Sequence, residues 1–485
     1  MGMTTEEQSR VANLLNCKLG KFPFTYLGLP VSDRKLTAVE WEPLTGKVAS
    51  RAAPWQGRFM SSTARLTLIN ACLSNLPMHA MSLYMLGDGV HRVMNRHRSK
   101  FYWEPDPNKR KYHFVRWKVL CRPKGLGGLG IIDTKLMNIC LVVKWIWRIV
   151  THEEGLWLSI LRSKYLQNKD LLLDSFRPAS EFWNSIQKFK SVFSLGAKHL
   201  VNNGTSTRFW QDWWTGQSPL CARFPNLFAI TLHPLASVAD AMGPDGWNVQ
   251  FRRTFGTLET VEWSNLSREI GHIQLSQSRD QFSWSLEPSG KFSVKSLYLK
   301  LCEGIPMASF AAIWKIRVPL KVRIFLWQML RKRLPSSDNI HRRHGPSNGL
   351  CCLCGDFEDT NHIFFGCVLA RFMWSVVREL LSCSWNPACF ADVFRLVRPT
   401  RGTSRHILWT CFAALCWSLW NIRNKFTIEA TFPNQPADCI FKMISYLQLW
   451  THVARAQDKP ALRTTISRLR LLHSAYRDTD EQHLP

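Results

Sequence analysis

The segment from Cys351 to Cys367 constrains this chain more than any other stretch. Cys351, Cys354, His362 and Cys367 are spaced C-x2-C-x7-H-x4-C. Three thiolates and one imidazole make a complete tetrahedral set for one zinc ion, with no open position left for chemistry. Gly355, directly after the second cysteine, suits the tight turn that converging sulfurs need. The competing reading is a group of buried thiols beside a core histidine, since free cysteine packs as a small hydrophobe. The metal reading predicts one structural zinc ion and a small domain stapled by it.

The rest of the composition sets the surroundings of that segment. At 485 residues the chain exceeds one ordinary core, so several domains are expected. Hydrophobic residues make up 46% and there are 22 tryptophans, which describes a globular chain that buries aromatic surface. Lysine and arginine outnumber acidic residues 63 to 35, for a net charge of +28, a balance suited to a polyanionic partner. Nucleic acid leads, and an anionic membrane surface comes second. The 15 cysteines are odd in number and scattered outside the Cys351–Cys367 segment, which argues for a reducing compartment over a disulfide framework. The first residues carry neither a basic nor an apolar signal region, so a cytosolic or nuclear location is expected. The uncharged run from Ile407 to Ile422 is shorter than the ~20 residues a membrane span needs, and it reads as a buried helix.

Taken in order, Lys21 to Val31 is β-prone and punctuated by Pro23, Gly28 and Pro30, consistent with a bent strand or hairpin. Helical patterns cover Trp41 to Val48 and Ser61 to Leu73, separated by Pro54 and Gly57, with Ser61 and Ser62 as candidate caps. The blocks Phe22 to Pro30, Trp55 to Ser61 and Arg65 to Asn70 resemble the segment after the polymerase palm in plant LINE-type (non-LTR) retrotransposon reverse transcriptases. In that family the stretch is the end of the palm and the thumb. The resemblance places the palm's paired-aspartate motif upstream of this sequence, and no Asp-Asp pair occurs in it. Polymerisation needs clustered carboxylates to hold two divalent ions. The expectation is therefore that the chain is not an enzyme and has no catalytic residues.

From His91 to Lys124 cations alternate with rings, including Arg98, Lys100, Lys109, Arg110 and Lys111, with Glu104 and Asp106 opposing them. Such interleaving suits phosphate contact with base stacking. It equally suits a solvated basic face whose rings belong to the core. The glycines from Gly125 to Gly130 lack the G-K-[ST] ending of a P-loop and read as a turn before a helix from Asn138 to Val150. Trp117 with Cys121 to Gly130, and Phe209 to Gly216, resemble recurrent blocks of the same retroelement proteins. Asp212, alone among aromatics, reads as a turn or cap residue. Residues 230 to 275, with Gly243, Pro244 and Gly246, read as a loop or domain boundary.

Trp284 to Tyr298 reads as a strand, a turn at Ser289-Gly290, and a second strand running into a helix. Together with Ile313 to Lys315, Lys321 to Trp327, Arg333 to Pro335 and the Cys/His segment, it resembles the reverse transcriptase zinc-binding domain. That family usually has a non-ligand where Cys352 stands. C-x2-C brings two sulfurs to one ion more readily than C-x-C, so Cys351 is the expected ligand and Cys352 a spare thiol. His341 and His344 lie in a basic run and read as surface residues. Lys321, Arg323, Arg331, Lys332 and Arg333 precede the cluster and are candidate phosphate contacts. A purely stapling role for the zinc is the alternative.

Beyond Cys367, Val368 to Leu381 and the run from Ile407 read as core helices, Trp420 to Asn424 resembles a motif near the ends of these proteins, and the tail from Asp458 is polar. The expected fold is mainly α with short β elements and several domains. They are 1–90 thumb-like, 91–275 a basic and Trp-rich connector, 276–385 the zinc-binding domain, and 386–485 a helical tail. The expected function is non-catalytic binding of zinc and nucleic acid, RNA rather than DNA, with no membrane partner. The alternatives are an accessory half acting with a separate catalytic palm, or a protein-interaction scaffold or functionless remnant.

Overall fold

The computed structural model describes residues 3–53, 59–104, 112–167, 171–172, 179–243, 246–302, 304–397 and 402–481. Among the described residues the chain is mainly helical, with three two-stranded antiparallel sheets. It divides into two compact units, one of Met1–Arg51, Leu73–His97 and Asp133–Glu303, the other of Ala52–Cys72, Arg98–Ile132 and Gly304–Pro485.

In the first unit, Phe24–Tyr26 pairs with Leu29–Val31 through a two-residue turn, as the sequence led us to expect. Leu27 and Gly28 both take positive φ, 48° and 79°, the backbone hand that matches a twisted hairpin. The Thr134–Val150 helix starts four residues earlier than its apolar pattern indicated, because the Asp133 carboxylate accepts hydrogen bonds from the amides of Lys135 and Leu136. Its buried face packs with Trp183, Ile186, Phe193 and Trp284.

Two expectations are corrected in this unit. The strand Gln281–Trp284 takes Ala197–Leu200 as its partner, and no second strand follows the Ser289-Gly290 turn; the chain enters the Val294–Leu301 helix instead. Residues 230 to 275 are not an open loop. They include the Thr257–Ile270 helix, whose Leu266 and Ile270 share a core with Phe209, Trp210 and Trp214. The aromatic spacing of Phe251, Phe255 and Trp263 fills that core with edge-to-face contacts that simple helix periodicity does not reveal. Asp212 is a turn residue: its carboxylate accepts from the Arg208 amide at 2.7 Å.

In the second unit, Ser61 caps the Ser62–Leu68 helix by accepting from the Ala64 amide. The glycine turn is stitched by its own backbone, with the amides of Gly127, Gly128 and Gly130 donating to the carbonyls of Lys124, Pro123 and Arg122. Those amides are spent, so the turn offers no phosphate cradle. A Cβ at Gly128 would lie 1.8 Å from the Arg122 carbonyl oxygen, which only glycine avoids. The Gly127 carbonyl accepts from Trp327 Nε1 at 2.9 Å and Arg331 Nε at 2.8 Å, fixing the turn to the Leu320–Leu330 helix. The main core gathers Leu326, Phe364, Met373 and Leu415. The helices Val368–Leu381, Gly402–Glu429, Pro436–Trp450 and Lys459–Glu481 enclose it. Among the described residues no helix is long and apolar enough to cross a membrane.

Candidate metal centre and basic surface

The metal centre is built on a tight backbone loop. The Gly355 amide donates to the Cys351 carbonyl at 2.9 Å, the Cys351 amide donates to Asp356 at 2.7 Å, and Gly355 has φ 76°. That loop turns the Cys351 and Cys354 side chains to one side. His362 opens a short wide turn, His362–Gly366, steadied by its amide donating to Asp359 Oδ1 at 2.7 Å. Cys367 then sits at the N-terminal cap of the Val368–Leu381 helix, where the exposed amides favour a thiolate.

The four side chains converge. Their ligand atoms all lie within 4.8 Å of one another, with Cys351 Sγ 3.9 Å from Cys367 Sγ and Cys354 Sγ 3.2 Å from His362 Nε2. A tetrahedral zinc with its usual bond lengths needs about 3.8 Å between sulfurs and about 3.6 Å between sulfur and nitrogen. The donor set therefore fits the ion. Cys351 and Cys367 are buried, whereas Cys354 and His362 are partly exposed. Cys352 points elsewhere, exposed and 3.4 Å from Thr427 Oγ1. His341 and His344 are exposed, as read from the sequence.

Hydrogen bonding to Cys367 and burial push the Cys351 thiol up to about 12, while the same bond holds Cys367 below its ordinary value. Burial pushes Cys354 up as well. A dication replaces these protons, so metal uptake releases them and competes with acid.

One supporting pair escaped the sequence reading. Glu358 lies within the spacer between Cys354 and His362 and is 0% exposed. Its carboxylate forms a two-pronged ion pair with Arg423 of the Gly402–Glu429 helix, Arg423 Nε donating at 3.0 Å, and it also accepts from the Ser337 amide at 2.7 Å. The signal for it is Arg423 within the Trp420 to Asn424 block.

The candidate phosphate contacts divide. Lys100, Lys321, Lys332 and Arg333 are exposed. Lys109, Arg110 and Lys111 lie outside the described residues, as do Pro54, Trp55 to Arg58, Asp106 and Pro244. Arg98 is corrected: it is 0% exposed, and its Nη2 donates to the Ile132 carbonyl at 2.8 Å, so it is a packing residue. Phe101 and Tyr102 are buried too, which places those rings in the core and not on a stacking platform. Arg323 and Arg331 are half-buried, with Arg331 held on the Gly127 carbonyl.

The fold also joins two basic blocks that are far apart in the sequence. Lys124 Nζ lies 4.8 Å from the Trp314 ring centroid. Burial and then the charge of Arg323 push the Lys124 pKa down, burial and then Arg317 do so for Arg323, and burial followed by Arg122 and Arg333 does so for Arg331. Six cations thus fall into two neighbouring sets, Lys124 with Arg323 and Arg317, and Arg331 with Arg122 and Arg333. Among the described residues none of the six forms an ion pair with an acidic group.

These features define a mainly helical protein with one closed Cys3His zinc centre. Residues 292–374 match the family described as zinc-binding in reverse transcriptase, and that match together with the cluster assigns one structural zinc to this protein. The chain is 30% identical over 413 residues to an Arabidopsis thaliana protein named "Putative ribonuclease H protein", an alignment covering 81% of this chain and 65% of that relative. It is 32% identical over 142 residues to an "Uncharacterized mitochondrial protein" of the same plant, covering 29% of this chain and 92% of the relative. The chain belongs to this family of reverse transcriptase-related proteins. The first relative corrects the expectation that no enzyme is involved. That relative is named for ribonuclease H, an enzyme, and clustered carboxylates that folding assembles need not be adjacent in a sequence.

Proposed function

We propose that this chain binds nucleic acid through the second unit, with Cys351, Cys354, His362 and Cys367 holding the zinc that fixes the binding platform. The observation that carries this reading is the set of cations Arg122, Lys124, Arg317, Arg323, Arg331 and Arg333, which neighbour one another in the second unit and lack acidic partners among the described residues. Such crowding costs free energy unless anions relieve it, and a phosphate backbone supplies them in series. Exposed Lys321 and Lys332 extend the same surface. We assign single-stranded RNA over DNA as the partner, a LINE-type element as the origin, 276–385 as the domain that carries the zinc, and cytoplasm or nucleus as the location. The chain spans about 65% of the length of the ribonuclease H-named relative, and the activity of a whole protein of that kind is outside this proposal.

Fluorescence anisotropy with labelled single-stranded RNA, the matching DNA and a duplex tests the reading. Affinity should fall steeply with salt, by about 0.7 in logarithmic slope per phosphate contact. Lys124→Glu with Arg317→Glu and Arg333→Glu should abolish it. Binding that survives this triple reversal, or reversal at Lys321, Arg323 and Arg331 to Arg333, rules the surface out.

A further inference from the structure

A cavity of about 420 Å³ in the second unit lies apart from the zinc ligands and shares Arg317 with the basic cluster. Its wall combines Lys315, Arg317 and Arg405 with His406, Asp458 and the ring of Trp409. Asp458 is 3% exposed, and its Oδ2 lies 3.1 Å from His406 Nδ1. Its other oxygen, Oδ1, is buried and has no hydrogen-bond partner among the described residues. Lys315, Arg317 and Arg405 have no acidic partner among them either.

The two deficits call for one ligand. A buried carboxylate oxygen without a donor is costly, so the site lacks an N–H or O–H group. Uncompensated cations beside it lack an anion. A metal ion would satisfy the carboxylate but be repelled by the cations, and inorganic phosphate would leave the apolar wall at Trp409 uncovered. A molecule with a phosphate at one end, a flat apolar body and hydrogen-bond donors at the other answers both, and the volume lies in the range of small-molecule sites.

We propose that this cavity binds a nucleoside monophosphate unit, free or at the end of a strand, with its phosphate on Lys315, Arg317 and Arg405 and a base or sugar donor on Asp458 Oδ1. The assignment stands apart from the basic cluster's contacts along a strand's backbone.

Isothermal titration of the full-length, zinc-loaded protein with AMP tests it, with adenosine and inorganic phosphate as partial ligands. AMP should bind at least tenfold more tightly than either. Asp458→Asn, which keeps an acceptor for His406, and separately Arg405→Gln should each weaken AMP at least tenfold without changing the melting temperature. Lys124→Glu with Arg333→Glu should abolish RNA binding yet leave AMP binding within twofold, which separates failure of this site from failure of the strand surface. A 5′-phosphorylated hexanucleotide that displaces AMP identifies a strand end as the ligand, and one that does not identifies the free nucleotide. No AMP binding at millimolar concentration, or AMP binding within twofold of wild type in both cavity variants, overturns the proposal.

Discussion

The two compact units solve the same stability problem by different means. The first relies on rings: Trp284 is 0% exposed, packs against Trp147, Phe193 and Phe292, and donates from its indole to Ser296 Oγ at 2.8 Å. Its half-buried carboxylate Asp280 is answered by the amides of Asn202 and Gly204 and the hydroxyls of Thr207 and Ser206. The second unit has a large apolar core as well, yet it places a metal loop, a buried ion pair and unrelieved cations around that core. Among the described residues the first unit leaves few buried side-chain atoms unpartnered, His91 Nε2, Gln187 Oε1 and Ser267 Oγ, whereas the second adds to such atoms a donor set that fits a metal ion. A region that needs partners is the region where function is to be sought.

The strongest way to break this comparison is to remove the zinc. In zinc-finger peptides the ion supplies about 10 kcal/mol, so Cys354→Ser with His362→Ala should abolish bound zinc and give the largest loss of stability. Calorimetry should show the second unit's transition falling while the first unit's stays. Equal falls in both would mean that the units do not melt independently. Acidification should release zinc as protons reclaim the thiolates, because metal binding requires them deprotonated; zinc content measured against pH checks this.

Next come single core changes. Trp284→Ala should cost the first unit about 3–5 kcal/mol and leave zinc content untouched. Glu358→Gln should cost the second about 3–5 kcal/mol by leaving Arg423 buried without its counter-charge, and Glu358→Met with Arg423→Met should recover much of that loss. If the double variant is no better than the single ones, the pair contributes more than mutual neutralisation.

A smaller effect concerns Asp280. Burial pushes its pKa up, but the four donors outweigh burial and hold it below the ordinary carboxylate value. Its folded-state pKa is thus depressed, so its contribution is present above the unfolded value of about 4 and lost as pH falls through the folded value. Asp280→Asn should flatten the acid side of the first unit's stability profile, seen in chemical denaturation at stepped pH. Smallest of all, Cys352→Ser should leave zinc content and melting unchanged, since that sulfur lies outside the cluster.

The sequence made some of this legible and hid the rest for physical reasons. Ligand spacing is local, so the convergence of Cys351, Cys354, His362 and Cys367 could be anticipated, as could the Leu27-Gly28 hairpin turn and the Val368–Leu381 helix. Pairings between distant residues were not legible. The partner of Gln281–Trp284 lies far upstream, the acceptor for Arg423 lies in the metal loop, and the Asp458–His406 contact joins residues that show no pattern together. Charge alone also misled at Arg98, because a cation beside aromatic residues looks the same in a sequence whether it faces water or a carbonyl.

The Glu358–Arg423 pair has a consequence for how such loops can vary. Glu358 occupies a fixed place within the seven-residue spacer between two ligands, and its reach to Arg423 measures the distance from the loop to the long helix. Zinc itself would accept other spacer lengths, since only the ligand atoms must meet. The helix would not. The spacer is a ruler cut to the helix, and any insertion or deletion between Cys354 and His362 must be matched by a change at Arg423 before the loop can close.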